Sequence, residues 1–218
     1  MNKELLNRTI SSIILIPIVF FCIIKGSFFF NTLILISFLL TCYEWIKMID
    51  NKKFKILGLL FLVFSYSTIY LIRNTNDDNS LHLFFIVILI CVSTDLGGYI
   101  FGKILKGPRL IKISPNKTYA GFFGGHILSL VVIIIYTKKF YIGNLDKQMI
   151  DSQFIITIFL ISVVSQLGDL VISYFKRISK VKDTGNIIPG HGGILDRTDG
   201  MIFAFPFFYI LLLLEIYI

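Results

Sequence analysis

Residues 173–199 read SYFKRISKVKDTGNIIPGHGGILDRTD, a polar run set between two strongly apolar stretches. It carries six basic side chains counting His191, three aspartates, a Pro-Gly turn and a cluster of glycines that continues to Gly200. A connection between two membrane helices needs none of these. Glycines let backbone N–H groups approach an anion closely, lysines and arginines neutralise phosphate, and aspartates hold a divalent cation. The chemistry that this combination suits is the binding of a polyphosphate with its metal, at the surface of a membrane.

Further acids point the same way. Asp95, in STDLGGYIFGKIL, and Asp169, in SQLGDLVISYFKR, lie inside apolar stretches, where an ionised group is costly unless partnered. At 1.5 Å per residue each stands about 10–12 Å from the basic end of its stretch. Asp196 and Asp199, three positions apart, share a helical face. Four acids expected at one depth suggest a cation site, and magnesium is the natural candidate because carboxylates and phosphates are its usual ligands. An internal salt bridge or a proton-relay acid is the alternative for Asp95 or Asp169 taken alone.

A second polar cluster, KGPRLIKISPNKTYAG, precedes another apolar run. Ser114-Pro115 disfavours helix there, so a turn is expected to present Lys117 and Thr118 near a helix N-terminus, a plausible phosphate cradle. Glu44-Trp45 reads as an interfacial anchor or as part of the site lining. His126 reads as a buried, hydrogen-bonded histidine, and His191 as either a phosphate contact or a loop-stabilising residue. The pairs Gly98/Gly102 and Gly121/Gly125 read as close helix-packing positions.

These residues must be positioned by membrane helices. Of 218 residues 56% are hydrophobic and only 16% charged, against about 25% charged in soluble domains. Continuous apolar runs exclude an alternating β-barrel. The reading is an all-α, polytopic helical membrane protein with about seven transmembrane helices, near 9–24, 28–46, 54–72, 81–102, 119–137, 153–175 and 200–218. With the N-terminus cytoplasmic, 16 of the 21 Lys and Arg fall in inner segments and five in outer ones, a clear positive-inside asymmetry. The N-terminal run lacks a small-x-small cleavage site and reads as a retained helix. Residues 1–80 form a group of N-terminal helices, and 81–218 a catalytic domain with cytoplasmic loops 103–118 and 176–199. Cys22, Cys42 and Cys91 sit in apolar runs and read as packing residues. The basic excess is accounted for by membrane topology and phosphate, so no nucleic-acid partner is expected. An ion-coupled transporter is the other reading, but it predicts midplane acids and an internal repeat, and no repeat is visible.

The run from Ser173 to Asp199 resembles, position for position, the signature of bacterial phosphatidate cytidylyltransferases, also called CDP-diacylglycerol synthases. The matching residues are Ser173, Phe175-Lys176-Arg177, Lys182-Asp183, Gly185, Pro189, His191-Gly192-Gly193, Asp196-Arg197 and Asp199. TDLGGYIFGK, SPNKT and QLGDL resemble three further family segments. Two departures stand out: Leu96 replaces the usual Thr, and Ala120 stands where many members have Glu. The resemblance implies transfer of a cytidylyl group from CTP to phosphatidate at a bacterial inner membrane, with magnesium, and leaves open a second, monovalent cation and a homodimer. It implies Asp169 and Asp196, assisted by Asp199, as metal ligands. Lys176, Lys182, Asp183 and Arg197 would be catalytic. Asp95, Ser114, Lys117, Thr118, Ser173, Arg177, His191, Gly192 and Gly193 would contact substrate.

Overall fold

The computed structural model describes residues 3–75, 79–111, 114–140, 152–190 and 192–215, with backbone alone at 3–8, 111, 114–116 and 140. The helices are α1 (Lys3–Lys25), α2 (Ser27–Met48), α3 (Lys52–Asn74), α4 (Ser80–Leu105), α5 (Tyr119–Phe140), α6 (Ser152–Ile178), α7 (Leu195–Thr198) and α8 (Met201–Leu213). Among the described residues five of them, α2 to α6, are long and apolar enough to cross a membrane. The first and last expected spans appear as α1, whose apolar described part is Thr9–Lys25, and the shorter apolar helix α8, Met201–Leu213. Outward faces are apolar, as lipid requires: Ile13, Phe28 and Tyr99 are each about two-thirds exposed or more.

Local chemistry sets the breaks. Gly26, at φ +66°, separates α1 from α2, in the left-handed region that favours glycine. Asn51 caps α3 by accepting from the Lys53 N–H at 2.9 Å. The Thr118 hydroxyl accepts the Gly121 N–H at 3.1 Å and so caps α5.

Two expectations are corrected. The segment read as a turn before Lys117 is an antiparallel hairpin, β1 (Arg109–Ile111) with β2 (Ser114–Thr118), so the fold is not purely helical. Pro115 lacks an N–H and drives residue 114 into extended backbone, which suits a short two-stranded element. The expected span 200–218 is also shorter. A distinct four-residue helix, α7, precedes it, and α8 ends at Leu213, with Glu215 at φ +53°.

The chain forms two compact units. The first comprises Met1–Leu81 with Tyr174–Asp199, and the second His82–Ser173 with Gly200–Ile218. The polar loop after α6 therefore groups with the N-terminal helices, where sequence assigns it to 81–218. In the first unit Trp45 is 4% exposed. Phe175 meets its ring edge-on at 5.0 Å, and its indole N–H donates to the Lys55 carbonyl at 3.2 Å. A Cβ on Gly58 would fall inside the same indole. Trp45 is thus a core residue rather than an interfacial anchor.

In the second unit α4 and α5 approach backbone to backbone. A Cβ on Gly97 would lie 2.7 Å from the Gly124 carbonyl, and one on Gly121 would lie 2.6 Å from the Gly98 carbonyl. His126 is buried and pairs with Ser162 at 2.7 Å; Ser162 also meets Thr94 at 2.8 Å. All three cysteines are free thiols, and Cys91 is buried.

Candidate active site

Within the first unit the glycine-rich loop folds around two carboxylates of the protein itself. Asp196, on α7, accepts from the Lys176 ammonium at 2.8 Å through Oδ1. Its Oδ2 accepts from the Thr184 N–H at 2.8 Å, the Thr184 hydroxyl at 3.0 Å and the Gly193 N–H at 3.0 Å. Burial alone would raise this carboxyl's pKa. The Lys176 ammonium, with the Gly193 and Thr184 N–H groups, outweighs it and holds Asp196 below the usual carboxylate range.

The second carboxylate is Glu44, near the end of α2 and 2% exposed. Its Oε1 accepts the Ile194 N–H at 2.9 Å. Its Oε2 accepts the Leu195 N–H at 2.8 Å and the Thr184 hydroxyl at 3.0 Å. The glycines are explained by these contacts. A Cβ on Gly193 would lie 2.4 Å from Glu44 Oε2, and one on Gly185 would lie 2.8 Å from Oε1. Gly192, at φ +88°, would place a Cβ 2.9 Å from Asp196 Oδ2. Gly193, which the resemblance places in contact with substrate, gives its N–H to Asp196.

In the second unit Lys117, at the end of the hairpin, pairs with Asp169 of α6 at 2.5 Å, with side chains 27% and 26% exposed. The Ser173 hydroxyl donates to the other Asp169 oxygen at 3.2 Å. Thr118 beside Lys117 is occupied as the cap of α5.

The remaining candidates are more dispersed. Arg177, Lys182, Asp183 and Arg197 are exposed in the first unit, and Asp199 is buried there. Asp95 is exposed on α4. His191 and the side chain of Ser114 lie outside the described residues.

The donor sets differ in how well they suit magnesium. Among the described residues Asp169 has one partner on each oxygen and is partly open, so lone pairs remain for a cation. Asp196 is nearly enclosed and takes four donors, so a cation there would have to displace one of them. Among the described residues no three Asp, Glu, His or Cys groups gather into a ready-made metal cage. Magnesium commonly binds through one or two carboxylates plus substrate phosphates, and Asp169 fits that pattern.

Thr184 is absent from the sequence-derived site, and Glu44 is only weakly marked in it. Glu44 carried a usable signal, since an acid inside an apolar span needs a partner.

The model of the family described as "Cytidylyltransferase family" matches residues 6–75 and 56–214. The chain belongs to the cytidylyltransferase family. Among this family chain's relatives is the phosphatidate cytidylyltransferase of Staphylococcus haemolyticus (strain JCSC1435), 36% identical over 97% of this chain and 85% of that protein. That of Rickettsia bellii (strain RML369-C) is 34% identical over 95% and 90%. That of Bacillus subtilis (strain 168) is 42% identical over 76% and 60%. The matched family segments take in Glu44, the Lys117–Asp169 pair and the loop through Asp196.

Proposed function

We propose that this chain is a phosphatidate cytidylyltransferase, converting phosphatidate and CTP into CDP-diacylglycerol and pyrophosphate. The observation that carries the reading is the Lys117–Asp169 pair at 2.5 Å, open on about a quarter of each side chain. It offers a phosphate-binding cation just before α5 and a metal-binding carboxylate within α6, side by side.

An oxygen of the phosphatidate phosphate attacks the α-phosphorus of CTP. A P–O bond forms there as the bond to the bridging oxygen of the β-phosphate breaks, and pyrophosphate leaves with the electron pair. Such a reaction asks a protein for positioning and charge neutralisation rather than covalent chemistry. Lys117 neutralises phosphate oxygens; the exposed Arg177, Lys182 and Arg197 carry charge of the same kind, the two arginines with a fork geometry suited to phosphate. Lys176, oriented by Asp196, adds a fixed positive charge. Asp169 would hold magnesium, which would supply charge neutralisation to the triphosphate. Ser173 orients the Asp169 carboxylate by its hydrogen bond.

The same reading assigns the topology: seven spans, counting α1 and the shorter α8 (Met201–Leu213), in a bacterial inner membrane with a cytoplasmic N-terminus. The basic loops then face the compartment that holds CTP, while phosphatidate keeps its acyl chains in lipid.

The test is an assay of purified protein in detergent with phosphatidate and labelled CTP, with and without magnesium. Stoichiometric CDP-diacylglycerol and pyrophosphate, dependent on the metal, are expected. Hydrolysis of CTP without a lipid product would refute the assignment.

A further inference from the structure

The geometry points to Glu44 as a positioning residue of this reaction: it anchors the glycine-rich loop by its backbone and, through Thr184, sets where Asp196 holds the Lys176 ammonium. This inference rests on the cytidylyl-transfer reading for its consequence, but not for its geometry.

A carboxylate 2% exposed at the end of an apolar helix must be balanced by its neighbours. Among the described residues the partners of Glu44 are the Ile194 and Leu195 N–H groups and the Thr184 hydroxyl. The Ile194 and Leu195 amides, at the start of α7, could otherwise face a phosphate. Glu44 occupies the place of such an anion, so this part of the loop is a closed internal joint rather than a ligand cradle.

The joint has a direction. The Thr184 hydroxyl lies 3.0 Å from both Glu44 Oε2 and Asp196 Oδ2, so its single proton is shared between two carboxylates. The other oxygen of Asp196 holds Lys176 at 2.8 Å. Four residues from α2, α6, the loop and α7 are therefore linked in series, with Glu44 at the buried end and the ammonium at the working end. Displacing a charged group by about 1 Å can cost on the order of a hundredfold in rate, so loss of the anchor reaches turnover without Glu44 touching substrate.

Glu44→Gln is the informative change. It is nearly isosteric, but its NH2 must face an N–H or hydroxyl donor whichever way the amide is turned. Turnover is expected to fall at least about tenfold, with less change in the KM for CTP. Hydrogen exchange at the Ile194 and Leu195 amides should quicken while exchange in α5 stays as in the parent protein.

A second pair of variants separates positioning from packing. Thr184→Val keeps the volume and removes the hydroxyl; Thr184→Ser removes a methyl group and keeps the hydroxyl. Positioning predicts that valine lowers turnover and serine restores it, and a packing role predicts the reverse order. This pair also decides the matter if Glu44→Gln does not fold. Parental turnover in Thr184→Val, or unchanged exchange at residues 194–195 in folded Glu44→Gln, would overturn the inference. If the unsubstituted protein makes no CDP-diacylglycerol, the functional reading fails on its own, and the exchange measurement still decides whether Glu44 anchors the loop.

Discussion

Lys117 and Asp169 come from different elements, a β-strand and a long helix, yet their charged groups meet at 2.5 Å. Each is about a quarter exposed and so open enough to take another partner. Asp169→Asn should lower activity by at least about a hundredfold, roughly 3 kcal/mol of lost stabilisation, and raise the magnesium concentration needed for half-maximal rate. Lys117→Met should raise the KM for CTP without shifting the metal requirement. An Asp169→Asn protein with parental activity and unchanged magnesium dependence would remove Asp169 from the metal site.

Helix packing gives a test independent of chemistry. A Cβ at Gly97 would lie 2.7 Å from the Gly124 carbonyl, whereas one at Gly98 meets nothing nearer than 3.7 Å. Gly97→Ala should destabilise the protein by about 1–3 kcal/mol, and Gly98→Ala by much less. Thermal unfolding in detergent compares the two, and equal losses would contradict the α4–α5 contact.

Asp196 makes a prediction about acid. Its folded pKa lies below the ordinary 3.8, so its contribution to stability is fully present above that value. It is lost as pH falls through the lower, folded value. Between pH 5 and pH 7 Asp196 should therefore add no slope, by this sign. Asp196→Asn should be less stable than the parent at neutral pH, with the gap closing in strong acid. A gap that widened on acidification would show that the sign is wrong.

Topology is accessible by labelling. With Cys22, Cys42 and Cys91 replaced, a cysteine introduced at the exposed Asn186 should resist a membrane-impermeant maleimide in intact cells and react after permeabilisation. Ready labelling in intact cells would invert the orientation inferred from the basic residues.

Much of this protein is legible in one dimension because a bilayer imposes one-dimensional rules. A helix that spans hydrocarbon must satisfy its backbone internally, so apolar length alone locates α2 to α6. The density of basic and acidic side chains in 173–199 likewise marks that segment as a candidate for phosphate chemistry. The sequence could not show which carboxylate each loop donor serves. Glu44 and Leu195 lie 151 positions apart, and only folding brings the N–H to the carboxylate at 2.8 Å. The glycines read as making room for an external phosphate also make room for Glu44 and Asp196, because any buried anion asks the same of nearby backbone. The antiparallel pairing of β1 (Arg109–Ile111) with β2 (Ser114–Thr118) is not legible in the sequence because two short strands leave no periodic signal. Composition and hydropathy determined the helices and the kind of chemistry; the partner of each buried charge was decided by tertiary contacts between distant segments, which alone can balance it.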